Sequence, residues 1–121
     1  MHRVFVYGSL RKGLGNHDYL RSQQFITEAE ITEGFCMVNL GYFPGICHCD
    51  SEMAIQGEVY EVDGDTLKSL DRLEGHPTFY KRKEVETTGG PCWVYVLPSC
   101  FMDKPIVTSG NWLDTIKRSN V

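Results

Sequence analysis

Two hydrophobic periods share this chain, one of two residues and one of about 3.6. Arg3-Val4-Phe5-Val6-Tyr7 is β-branched and aromatic, which predicts a buried strand. Phe25 to Thr32 alternates through Phe25, Thr27, Ala29 and Ile31, a second strand. Gly34 separates it from Phe35 to Leu40, and Gly41-Tyr42-Phe43-Pro44-Gly45 reads as a turn or pocket loop. Ile46 to Cys49 is a short strand and Ile55 to Val62 a clear one. Phe79 to Thr87 and Cys92 to Leu97 form a hairpin around Thr88-Gly89-Gly90-Pro91, with Pro91 outside the paired centre. Pro98 to Pro105 is loop, and Ile106 to Thr108 a last short strand. The longer period marks a helix over Asp65 to Glu74. Asn16 caps a short helix through about Gln23, and Ser109-Gly110-Asn111 another through about Arg118.

Strands do not alternate regularly with long helices, so a doubly wound parallel sheet is excluded. The expected fold is α+β: a small, mixed, closed or nearly closed β-barrel with two or three short helices packed outside.

At 121 residues the chain suits one domain, residues 1–121. Twelve Lys and Arg against sixteen Asp and Glu leave a net charge of −4, which argues against nucleic acid as a partner. The triplet Lys81-Arg82-Lys83 is too short to change that, and in a strand it splits between two faces. No apolar run reaches signal or membrane-span length, so no membrane partner is expected. The cysteines are 36, 47, 49, 92 and 100. Their odd number, without a secretory segment before Arg3, predicts free thiols and a cytoplasmic protein. Cys47-His48-Cys49 superficially suggests a metal site. On a strand its thiols share one face and His48 takes the other, with no second ligand pair at a recognised spacing, so no metal is expected.

The most informative residue is Glu74. At about 100° per residue, Leu67, Leu70 and Leu73 make one apolar face, and Glu74 projects about 20° from Leu67. Gly75-His76-Pro77 stops the helix there. A carboxylate so placed is partly desolvated. It also faces the negative end of the helix dipole, at a cost of about 0.3–1 kcal/mol. Both raise its pKa, the preparation a general base requires near neutral pH. The competing reading is an end residue that swings into water and pairs with Lys81, Arg82 or Lys83. His76, alone before a proline, is not expected to act.

Gly8 to Gly15 leaves the first strand as a glycine-rich loop, whose consecutive backbone N–H groups suit an anion or oxyanion. It is not a phosphate loop: Leu14-Gly15 stands where Lys-Ser/Thr is required. A plain surface turn is the alternative.

These segments together resemble the γ-glutamylcyclotransferase-like superfamily, which includes AIG2-like and YtfP-like proteins. The matching stretches are Val6-Tyr7-Gly8-Ser9-Leu10-Arg11-Lys12-Gly13, Gly41 to Gly45, Gly57 to Val62, Leu70 to Gly75, and Tyr80 with Arg82, in order across residues 3 to about 114. The resemblance implies a compact α+β barrel that releases 5-oxoproline from a γ-glutamyl compound. It implies that the Tyr7-Gly8-Ser9-Leu10 loop cradles the γ-glutamyl group and that Glu74 is the acid/base. Around Glu74 to Tyr80 the similarity is closest to the γ-glutamylamine branch.

The implied reaction is internal attack of the α-amine on the γ-carbonyl, expelling an amine. It calls for a small γ-glutamyl substrate and no cofactor. Tyr42, Phe43 and Tyr80 are candidate pocket walls, the Tyr80 hydroxyl as a hydrogen-bond donor; Phe43 reads equally as core. The sequence leaves open the leaving amine and the oligomeric state. The alternative function is a non-catalytic binder of a small carboxylated metabolite in the same pocket; a nucleotide binder is a weaker third.

Overall fold

The computed structural model describes residues 1–119. Seven strands and two helices follow in the order β1 (His2–Val6), β2 (Gln24–Ile31), β3 (Phe35–Asn39), β4 (Pro44–His48), β5 (Ile55–Val62), α1 (Gly64–Glu74), β6 (Lys81–Thr87), β7 (Gly90–Val96) and α2 (Trp112–Ser119). Five strands form one mixed sheet, ordered β2-β5-β1-β7-β6, and β3 and β4 form a separate hairpin. β1 lies antiparallel to β5 and parallel to β7.

The period-2 pattern of β1 explains its central place. Val4 and Val6 enter a core with Leu67 and Leu70 of α1 and with Tyr80 and Tyr95. Phe5 and Tyr7 enter a second core with Ile46, Val59, Val94 and Trp112. A strand apolar on both sides can sit only where both faces are covered. Burying the side chains at Phe5 and Ile31 contributes roughly 1.5–3 kcal/mol each.

The mixed α+β fold with one large sheet and few helices is as expected, but the sheet does not close. β2 and β6 are its edges. They approach each other without a shared ladder, and next to them, at the β6–β7 turn, Thr88 N–H donates to the Glu30 carbonyl and Glu30 N–H to Thr88 Oγ1, both at 2.9 Å. A strand ladder needs matched runs of backbone; here the turn makes the hydrogen bonds.

Several local expectations change. The helix after Asn16 is only a 3₁₀ turn, His17–Leu20, because the Asn16 side chain donates to Ser9 Oγ at 2.8 Å instead of capping. The alternation in β2 holds for Ala29 and Ile31, whereas a bulge between Phe25 and Thr27 turns Phe25 outward. Ile106 makes a single bridge to Val38 rather than a strand. β7 starts at Gly90, earlier than Cys92, so Pro91 pairs with Glu86 beside the turn, still outside the paired centre as expected.

The thiols are not all free. Cys36 and Cys49 form a disulfide that staples the β3–β4 hairpin at its open end. Disulfides are rare in reducing compartments, so the cytoplasmic placement loses its argument from cysteine. Cys47 is buried, its thiol 3.5 Å from the Pro98 carbonyl, so the two sulfurs of Cys47-His48-Cys49 have separate partners. Among the described residues no helix is long and apolar enough to cross a membrane.

Candidate functional site

A cavity of about 420 Å³ opens where β1 ends. Its walls come from the loop Gly8-Ser9-Leu10, the end of α1 at Leu73 and Glu74, the segment Phe79-Tyr80, and Tyr95 on β7. The tip of the β3–β4 hairpin completes the rim.

Glu74 owes its position to both ends of α1. The Asp63 side chain caps the N-terminus by accepting from Thr66 N–H at 2.7 Å. At the other end Gly75 takes the left-handed conformation, φ 67°, and His76 N–H returns to the Asp71 carbonyl at 2.9 Å. A residue with a Cβ would be strained there. The helix therefore stops with Glu74 still on the inward side, beside Leu67 and Leu70.

Burial pushes the Glu74 carboxyl up to about 7. Two of the three cations downstream of it have other partners. Arg82 Nε lies 3.0 Å from Asp71 Oδ1, an ion pair rather than an aligned hydrogen bond, with its guanidinium 4.6 Å from the Trp93 ring centre. Lys83 Nζ reaches the His48 ring at 3.4 Å. Among the described residues no ion pair is formed by Glu74. His76 is occupied structurally, its Nδ1 accepting from Arg82 N–H at 3.0 Å.

The Gly8-Ser9-Leu10 loop is a turn closed by Arg11 N–H donating to the Gly8 carbonyl at 3.0 Å. Among the described residues the N–H groups of Gly8, Ser9 and Leu10 donate to no protein acceptor. The loop is fastened from behind. Arg11 Nε donates to Glu58 Oε2 at 3.0 Å, and Lys12 N–H and the Tyr60 hydroxyl donate to Glu58 Oε1, both at 2.9 Å. Arg11 also reaches Asn111 Oδ1 at 2.8 Å, and Asn111 Oδ1 accepts from Leu113 N–H at the start of α2. Three free donors are thus held on a rigid support, the arrangement an oxyanion needs.

Tyr7 and Tyr80 are buried beside the cavity. The Tyr7 hydroxyl donates to the Tyr95 carbonyl at 2.6 Å, and the Tyr80 hydroxyl donates to the Pro44 carbonyl. This corrects the expectation that Tyr80 donates to a ligand: its single proton is already used. Tyr42 lines the cavity at its outer rim, being 97% exposed. Phe43 lies at the rim, packed edge-on to Phe79 at 6.4 Å between ring centres.

The structure therefore brings together Tyr7, Gly8, Ser9, Leu10, Glu74 and Tyr80, with Tyr42 and Phe43 at the mouth. Sequence reasoning missed Asn16, Leu73, Phe79 and Tyr95. Leu73 and Phe79 flank recognised residues and were within reach of the motif. Nothing in the local pattern of β7 separates Tyr95 from core.

Known proteins place this geometry. Residues 4–114 match the family described as Gamma-glutamyl cyclotransferase, AIG2-like. The chain belongs to that family. A relative from Methanocaldococcus jannaschii is 43% identical over 94% of this chain and 98% of its own length. The Gamma-glutamylaminecyclotransferase of Rattus norvegicus is 34% identical, over 78% of this chain and 77% of its own. A crystal structure of a Pyrococcus horikoshii protein superposes with a TM-score of 0.81 at 32% identity, covering 99% of this chain and 96% of that one. In this AIG2-like chain, Glu74 and the Gly8-Ser9-Leu10 loop line one cavity.

Proposed function

We propose that this protein is a cyclotransferase acting on small γ-glutamyl amines or isopeptides, releasing 5-oxoproline and a free amine. The observation that carries the reading is the cavity shared by a carboxyl raised to about 7 and by unspent backbone donors. The rat relative's name supports the γ-glutamylamine type.

The chemistry follows from these groups. A substrate α-ammonium near pKa 8 or above loses a proton to Glu74, and each unit by which burial narrows the mismatch lowers the cost by about 1.36 kcal/mol. The freed amine attacks the γ-carbonyl carbon and a C–N bond forms. The oxygen becomes an oxyanion facing the N–H groups of Gly8, Ser9 and Leu10. Removing one such donor typically costs about 100- to 1000-fold in rate. Glu74 returns its proton to the leaving nitrogen, the original amide bond breaks, and the second proton shed by the ring nitrogen passes to the departing amine. Holding the glutamyl chain folded for ring closure is the cavity's orientation task.

The test is incubation with a panel of γ-glutamyl amines, followed by mass detection of 5-oxoproline. Release from at least one member is expected. Saturable binding with no product from any member would replace the enzyme with a metabolite binder.

A further inference from the structure

We propose that Tyr7 and Tyr80 form, with Glu74, an ammonium site on the inner wall of the pocket, their hydroxyl oxygens accepting hydrogen bonds from the substrate's α-ammonium. This rests on the cyclotransferase reading and adds two residue roles to it.

A phenol hydroxyl carries one proton and can accept through its lone pairs. The Tyr7 proton is directed to the Tyr95 carbonyl and the Tyr80 proton to the Pro44 carbonyl. The third tyrosine at the wall, Tyr95, donates to Asp71 Oδ1 at 2.8 Å. With their protons so spent, the three hydroxyls have acceptor lone pairs left and no donor, and the Tyr7 oxygen shares its lone pairs with the Ile46 backbone N–H. Burial pushes the Tyr7 and Tyr80 hydroxyls well above their ordinary range, and the Glu74 charge pushes the same way, so both stay protonated and keep these bonds. Glu74 adds two more acceptor oxygens. Among the described residues that line the cavity there is no Arg, Lys or His.

The lining therefore carries two kinds of polar group. The acceptors are Glu74 at the end of α1, Tyr7 just past β1 and Tyr80 just before β6. The backbone donors belong to the Gly8-Ser9-Leu10 loop. A carboxylate against those acceptors would meet oxygen lone pairs without a proton to share. An ammonium, with three protons and no acceptor, is the complementary group. Once one proton passes to Glu74, two N–H bonds remain for the two tyrosine oxygens. Those bonds orient the amine's lone pair while the γ-carbonyl stays on the donor loop. Both hydroxyls are fixed before binding, Tyr7 to β7 and Tyr80 to β4, so little ordering is left to the substrate.

The experiment uses Glu74→Gln protein, in which Gln keeps an acceptor oxygen but cannot take the proton. Two probes are compared by calorimetry: a γ-glutamyl alkylamide, and the matching N-alkyl glutaramate that lacks the α-amine. The ammonium probe is expected to bind at least about tenfold tighter. Adding Tyr80→Phe or Tyr7→Phe should shrink that ratio several-fold while leaving the glutaramate affinity unchanged. A purely structural tyrosine would weaken both probes together. Should a Phe variant fail to fold, tyrosine ¹³Cζ shifts in the Glu74→Gln protein decide. Tyr7 and Tyr80 signals should move with the ammonium probe and stay still with the glutaramate. Equal affinities, or tyrosine signals blind to the amine, overturn the ammonium site. Absence of 5-oxoproline from unaltered protein, with the affinity ratio intact, overturns instead the cyclotransferase reading.

Discussion

The backbone N–H of Tyr80 donates to the carbonyl oxygen of Glu74 at 3.2 Å. The chain leaves α1, turns through Gly75 to Phe79 and returns within one hydrogen bond of where it left. Phe79 N–H to the Gly75 carbonyl, 2.8 Å, tightens the same turn. The carboxyl and the phenol are thus set by one short loop, and neither can shift far without the other. A motif that is contiguous in sequence here becomes one wall of a cavity.

Activity should follow the ionisation of Glu74. With the carboxyl raised to about 7, its base form is lost as pH falls through that value. We expect kcat/KM to fall about tenfold per pH unit below roughly 7. A pH profile on one γ-glutamyl amine checks this. An acid limb near 4.5, the ordinary glutamate value, would show a carboxyl that solvent reaches freely.

The same shift predicts how stability depends on pH. Between about pH 4.5 and 7 the folded protein holds a proton on Glu74 that the unfolded chain has released. Rising pH therefore removes stability across that window, by up to about 3 kcal/mol from this group. Glu74→Gln cannot ionise and should unfold at a higher temperature than the parent at pH 8. At pH 4.5 the two should nearly coincide. Melting curves at both values measure the difference.

Arg11 and Glu58 bind the donor loop to β5 with side chains only 7% and 8% exposed. Arg11→Met leaves a buried carboxylate without its cation. Breaking a buried pair in this way costs about 3–5 kcal/mol. Urea denaturation should show that loss, and Arg11→Met with Glu58→Met should recover part of it.

Gly8 packs under the hairpin tip, where an added Cβ would come 2.9 Å from Pro44 Cγ and 3.0 Å from Pro44 Cδ. Gly8→Ala should push the loop and the tip apart. The expected result is a fall of about tenfold or more in kcat from misplaced donors, consistent with the cost of losing one. The melting temperature should change little, because Pro44 lies at a hairpin end. Steady-state kinetics beside a melting curve separates the two effects.

Local pattern was enough for Ile55–Val62, for α1 and for Glu74 on its inner face, because each depends on period and on a stop signal adjacent in sequence. It failed where a distant partner decided. Asn16 could have capped a helix, but Ser9 took its side chain. The Tyr80 hydroxyl looked like a free donor until Pro44, thirty-six positions away, claimed its proton. Cys36 and Cys49 are joined only because β3 and β4 pair. Barrel closure depended on how β2 and β6 run past each other, which no single strand encodes.

The central claim is that the buried Glu74 carboxyl moves the protons of ring closure. Its most direct test is mass-detected 5-oxoproline from one accepted γ-glutamyl amine, using the parent protein and Glu74→Gln at pH 8. The account predicts product from the parent, and from the variant a loss of at least about 100-fold with substrate still bound. Equal turnover by the two proteins would contradict it.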